Sequence, residues 1–224
     1  FWVGYIAYNR DELDNAEAQF REYKRLADRL IELNPDKPEW QMESSYAEGN
    51  LGAMFLEQGR FEEAETAFSN ALQMVEAMVE DGTFDVGQQI EIGMTVNWLG
   101  IVQGELGKLS ESLSLHQREV GIYDAILASE PANASAKNRL AVALQHLAER
   151  QLESGEIDAA MRSLDRSLAV NSNLRRMEPE NTEWQQTEVG GRIDKSAALL
   201  LVGRIAESQT MLESASALLE RMLA

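Results

Sequence analysis

Four glycines, Gly59, Gly107, Gly155 and Gly203, follow one another at intervals of 48 residues, and each has an apolar residue two places on: Phe61, Leu109, Ile157 and Ile205. Asp11 with Leu13 extends the series one unit towards the start of the chain. On the same ruler Pro35, Pro131 and Pro179 align, with Thr83 in the remaining place, and Trp40 superposes on Trp184. Self-similarity at a fixed period of this size is the mark of a repeat architecture, in which each unit buries its apolar face only against its neighbours.

The pattern inside the period is helical. Small residues five places after the glycine position (Ala16, Ala64, Ser112, Ala160, Ser208) are followed four residues later by Phe20, Phe68, His116, Leu164 and Leu212. A spacing of four puts both on one helix face. The stripe continues through Leu26, Met74, Ile122, Val170 and Leu218 to Leu30, Met78, Ile126, Leu174 and Met222, which predicts a second helix in each unit. Before each glycine, Leu51-Gly52, Leu99-Gly100 and Leu147-Ala148 set a large residue beside a small one, as close helix packing requires, and predict a first helix. First helices are expected near 1–9, 38–58, 86–106, 134–154 and 182–202. Second helices are expected near 12–33, 61–80, 109–129, 157–177 and 205–224. The connections Asn34-Pro35-Asp36, Asp81-Gly82-Thr83, Glu130-Pro131-Ala132 and Glu178-Pro179-Glu180 read as helix stops, with Asp or Asn available to cap the helix that follows.

These positions resemble the tetratricopeptide repeat (TPR), whose pattern of W-x2-L-G-x2-Y, A-x3-F and P runs over 34 residues. The clearest unit reads Glu48, Leu51-Gly52, Phe55, Ala64 and Phe68. The departure is in length: the stretches Ala16 to Pro35 and Pro35 to Leu51 are each about seven residues longer than in that family, or about two extra helical turns. The expected fold is all-α, a TPR-like superhelical solenoid of elongated antiparallel hairpins. It is expected to form one array over 1–224, with units at about 1–33, 38–80, 86–129, 134–177 and 182–224. The opening Phe1-Trp2-Val3, without an initiator Met, suggests a piece of a longer protein.

Composition narrows function by exclusion. With 38 acidic and 20 basic residues the net charge is −18, a field that repels phosphate backbones and anionic lipid, so nucleic acid and membrane surfaces are poor partners. The longest apolar runs, such as Ala197 to Val202, fall far short of the roughly 20 residues of a spanning helix. There is no cysteine, which removes thiolate metal sites, disulfides and a cysteine nucleophile. Compartment stays open, with the cytoplasm as a working expectation.

No constellation of catalytic residues, metal ligands or cofactor-binding loops emerges, and the expectation is a non-enzyme without a cofactor or metal. His116 stands where other units have Phe or Leu and reads as a core histidine. His146 shares its place with Trp2, Asn50, Trp98 and Asp194, a variable position that fits either a ligand-facing residue or a packed one. Gly190-Gly191 lies within a predicted helix and lacks the lysine and strand of a phosphate loop. Glu57, Glu105 and Glu153 recur two residues before the glycines. The resemblance places them beside the concave groove lined by first helices, as an acidic ladder for a basic peptide; a solvated helix end is the plain alternative. The two-Lys, two-Asn carboxylate clamp of some family members is missing, since Gly49, Ala53, Asn97, Gln145 and Glu149 occupy its places.

By resemblance, then, the chain is expected to bind a peptide or neighbouring protein domain, with Tyr5, Tyr8, Asn50, Glu57, Trp98, Glu105, His146 and Glu153 as partner-binding residues, and to serve an attached signalling or effector domain of a bacterial kind. The rival is a structural spacer or a self-associating homo-oligomer.

Overall fold

The computed structural model describes residues 2–10, 12–78 and 85–223. Asp11, Thr83, the Asp81-Gly82-Thr83 connection and the last residues of the helix expected over 61–80 lie outside them. The described residues are helical and contain no strand. Backbone contacts divide the chain into two compact units, 1–112 and 113–224.

The first unit holds α1 (Trp2–Tyr8), α2 (Leu13–Leu33), α3 (Pro38–Glu57), α4 (Phe61–Ala77), α5 (Val86–Glu105) and the start of α6 (Leu109–Ser129). The second holds the rest of α6, then α7 (Ala134–Glu153), α8 (Ile157–Met177), α9 (Thr182–Leu201) and α10 (Ile205–Met222). Within the first unit α1 to α5 pack each on the next, within the second α7 to α10 do so, and first helices also touch one another, α3 against α5 and α7 against α9. Every expected helix is present with ends within a few residues of those read from the sequence.

Local chemistry explains the boundaries. Gly59, Gly107, Gly155 and Gly203 adopt φ between 70° and 75°, the left-handed region where a Cβ is costly. At each, the residue after the glycine donates its N–H to a carbonyl five residues back, as Arg60 does to Phe55 at 2.8 Å and Glu156 to Gln151 at 2.7 Å. The glycine N–H itself reaches three residues back, giving the two-bond Schellman closure of a helix C-terminus. First helices start on side-chain caps: Asp85 with Gln88 forms a reciprocal box, Asn133 accepts from the Ala136 N–H at 2.9 Å, and Asn181 from Trp184 at 3.2 Å. Pro38 opens α3 instead, at a position whose N–H needs no partner.

Most of the predicted stripe is core, but Leu26 is 48% exposed and Met74, Ile122 and Val170 are half-buried, because the face turned inward there is that of the next residue, Ala27, Val75, Tyr123 and Asn171. The small residues Ala16, Ala64, Ser112, Ala160 and Ser208 are all buried, because first and second helices cross there. Where serine replaces alanine its hydroxyl is satisfied, by the Gly100 carbonyl for Ser112 (2.6 Å) and by Ser196 for Ser208 (2.7 Å). Phe20, Phe68, His116 and Leu164 are buried four residues on, but Leu212 in α10 is 45% exposed, since no described helix follows to cover it. Gly191 also has a packing reason: a Cβ there would meet the Gln145 amide at 2.9 Å, which crosses α9 to reach the Thr187 carbonyl at 2.8 Å. Among the described residues no helix is long and apolar enough to span a membrane.

Candidate peptide-binding face

In the first unit the variable first-helix position is held by Trp2 on α1, Asn50 on α3 and Trp98 on α5. Trp2 and Asn50 line a cleft of about 540 Å³, whose other walls are Tyr23, Glu43 and Tyr46. The Tyr23 hydroxyl donates to Glu43, and burial first, then this carboxylate, pushes its pKa up. Tyr46 is shifted the same way, by burial and by Glu91 and Glu43. The phenols therefore remain neutral donors next to fixed negative charge. Asn50 turns its amide onto its own helix, donating to the Tyr46 carbonyl at 2.6 Å, which leaves the tyrosine ring beside the opening.

The other expected residues of this unit fall into three situations. Tyr5 is exposed on α1 and meets Trp2 edge-on, with ring centroids 6.3 Å apart. Tyr8 is hydrogen-bonded to Glu57, and its hydroxyl is pushed up to about 12, chiefly by burial and then by that carboxylate. Glu57 thus ties α3 to α1 as well as facing solvent, whereas Glu105 is exposed at the last turn of α5. Trp98 is 38% exposed and lies flat on Phe68, with centroids 6.0 Å apart and planes within 5°. It is a packing residue on one face and an available ring on the other.

In the second unit Glu153 is exposed but paired with Arg150 at 3.0 Å. Arg150 also holds Glu149 at 2.7 Å. A basic ligand at Glu153 would have to compete with a guanidinium already in place. His146 is half-buried on α7, its ring 5.4 Å from that of the fully buried His116 on α6. Burial lowers the pKa of both, to about 3 for His116, where His146 and Arg150 add to the effect, so both imidazoles are neutral near pH 7.

The sequence reading did not include Tyr23, Glu43 and Tyr46. Tyr46 was within reach of it, because it stands four residues before Asn50 and therefore on the same face. Tyr23 lies on a second helix and Glu43 outside the repeating positions, so only the packing of α2 against α3 brings them together.

No protein-family model and no curated protein matches the sequence. Solved structures do match in backbone. The TPR-like repeats of a kinesin light chain from Podosopora anserina superpose with a TM-score of 0.68 at 15% identity, over 99% of this chain and 93% of that one. Aspartyl phosphate phosphatase F from Bacillus subtilis gives 0.61 at 12% identity, over 97% of this chain and 58% of that one. MamA gives 0.52 at 13% identity, over 98% and 95%. At such identities the likeness is one of fold, and it agrees with the residues that occupy the glycine, small-residue and aromatic positions. The chain has the all-α helical-repeat fold of TPR-like proteins.

Proposed function

We propose that residues 1–224 form one TPR-like array that works as a protein-binding module, and that its first-helix face takes an extended basic segment of a partner. The observation that carries this reading is the cleft of Trp2, Tyr23, Glu43, Tyr46 and Asn50, in which aromatic rings stand beside a carboxylate. A lysine or arginine side chain suits it doubly, by attraction to Glu43 and by stacking on an electron-rich ring. The net charge of −18 draws such a segment in from solution. Tyr5, Tyr8, Glu57, Trp98 and Glu105 extend the face along the first unit, and His146 and Glu153 continue the same repeat positions in the second. Control of an attached signalling domain is part of this proposal by fold resemblance alone.

The test is an array of Lys/Arg-containing peptides with acidic peptides as controls, read by fluorescence anisotropy at two salt concentrations. Basic peptides are expected to bind with an affinity that falls as salt rises. Tyr46→Ala and Glu43→Gln should each weaken binding about tenfold, and Glu57→Gln/Glu105→Gln/Glu153→Gln should reduce the salt dependence. Equal binding of acidic and basic peptides would defeat the reading.

A second reading, self-association, draws on apolar side chains exposed at both ends: Trp2, Val3 and Ile6 on α1, and Ile205, Leu212 and Leu219 on α10. Light scattering over a concentration series distinguishes it, since self-association predicts a mass that grows with concentration.

A further inference from the structure

Three repeat positions change character together in one place. Where α2 has Phe20 and Tyr23, α4 has Phe68 and Ala71, and α8 has Leu164 and Ser167, α6 carries His116 and Glu119. Where α5 has Trp98, α7 carries His146. In the first unit the matching pair, Phe68 and Trp98, forms a stacked aromatic contact. In the second unit the corresponding pair is two imidazoles, tilted by 49° with centroids 5.4 Å apart, and the Glu119 carboxylate lies close to both. His116 Nδ1 lies 3.2 Å from Glu119 Oε2, and the ligand atoms of His116, Glu119 and His146 all lie within 4.8 Å of one another.

From this coincidence of position and geometry we infer that His116, Glu119 and His146 bind a divalent transition-metal ion of the Zn²⁺ type, which clips α6 to α7. Two imidazole nitrogens and one carboxylate oxygen form a donor set that zinc uses. With metal–ligand distances of about 2.0–2.2 Å, a tetrahedral ion separates its ligands by about 3.3 Å. The histidine–glutamate pair already has that separation, and a movement of His146 inward would shorten its two edges, both within 4.8 Å, to the same length. Histidine and glutamate three residues apart on α6 share a face, so one helix supplies two ligands in a fixed relation and α7 supplies the third. His116 and Glu119 are buried and His146 is half-buried, so the fourth position opens on the His146 side, where a water or a partner's side chain completes the shell. Two imidazoles and a carboxyl gathered in a largely buried place form a site whose carboxylate charge a divalent ion would compensate, with any carboxyl proton released as the ion binds. Two cations on α7 would oppose a metal: Arg150, whose charge is met by Glu149 and Glu153, and Arg139, which acts on Glu119.

The experiment titrates the chelator-stripped chain with Zn²⁺ by calorimetry, and with Co²⁺ as a visible-absorption probe. The expected result is a single tight equivalent of Zn²⁺ and the intense visible bands of four-coordinate Co²⁺. The double variant His116→Phe/His146→Trp installs the aromatic pair already used by Phe68 and Trp98. It should fold, as helical circular dichroism will show, and lose Zn²⁺ affinity by about 100-fold or more. His146→Asn, which copies the residue at Asn50 and alters a half-buried position, should lose affinity similarly, and Glu119→Gln by about tenfold or more. Absence of a one-equivalent step in the wild type would overturn the inference. So would a step unchanged in His146→Asn, which would place the ion on surface carboxylates. Peptide binding by the first unit stands or falls separately.

Discussion

The ring of Phe68 fills the space that a side chain at Gly52 would need: a methyl group at position 52 would lie 2.9 Å from its Cζ. The ring is also stacked on the Trp98 indole, which restricts its movement. In the second unit the same crossing is made by Ala148 and Leu164, which pack in one cluster with Ala160 and Ala198. Small-with-large pairing therefore varies from one repeat to the next while the helix separation is kept.

Gly52→Ala is expected to destabilise the protein by about 1–3 kcal/mol through overpacking, although alanine favours the helix by up to about 1 kcal/mol. In a Phe68→Leu background the same substitution should cost little, since that pair reproduces Ala148 with Leu164. Urea unfolding of the four proteins gives the coupling, and independence of the two sites would show that ring and glycine do not share the space.

Phe68→Ala should cost about 3–5 kcal/mol, because the side chain is fully buried between two helices. Trp98→Ala should cost less, as much of its ring is already in water and it loses one stacked face, worth about 0.5–1.5 kcal/mol beyond its buried area. Thermal or urea denaturation decides the order, and a larger loss for Trp98 would mean that the indole is more deeply packed than its exposure indicates.

Glycine substitutions should separate by backbone conformation. Gly155→Ala is expected to lose about 1 kcal/mol, because φ there is 75° and the residue closes α7. Gly121 sits exposed within α6 with nothing near its missing Cβ, so Gly121→Ala should gain about 0.5–1 kcal/mol. Opposite signs in the same unfolding assay are the expected outcome.

The Asp194 carboxyl is pushed up from 3.8 to about 6, first by burial and then by Glu149. Its folded pKa is raised, so between about pH 4 and pH 6 the folded chain holds a proton that the unfolded chain has released. Its contribution to stability is therefore complete below about pH 4 and declines as the pH rises through 6. An NMR titration should place its midpoint near 6, and Asp194→Asn should remove this decline from the stability profile. A midpoint near 4 would show that the group is solvated.

The helices, their order and the glycine turns were legible in the sequence because each depends on local chemistry that recurs. Only glycine sits easily at the φ of Gly59, Gly107, Gly155 and Gly203, and only a small residue fits where Ala16, Ala64 and Ala160 meet the preceding helix. The face to which Asn50 and Trp98 belong followed from the same periodicity. What packing alone decided concerns side chains far apart in sequence or outside the repeating positions. Tyr23 and Glu43 become a hydrogen-bonded wall only when α2 lies on α3, and Glu57 is drawn to Tyr8 rather than left as a free carboxylate. Glu153, by contrast, meets Arg150 three residues before it on α7, a pairing that helical spacing alone could have shown. His116 was read as core and is buried beside Glu119 on the same face of α6, yet its nearness to His146, thirty residues on, depends on how α6 meets α7. A repeat pattern records which positions must be apolar or small for the units to stack. It does not record which polar side chains the stacking brings within bonding distance, because residues such as Tyr8, Tyr23 and Glu43 differ from unit to unit and meet partners on a neighbouring helix.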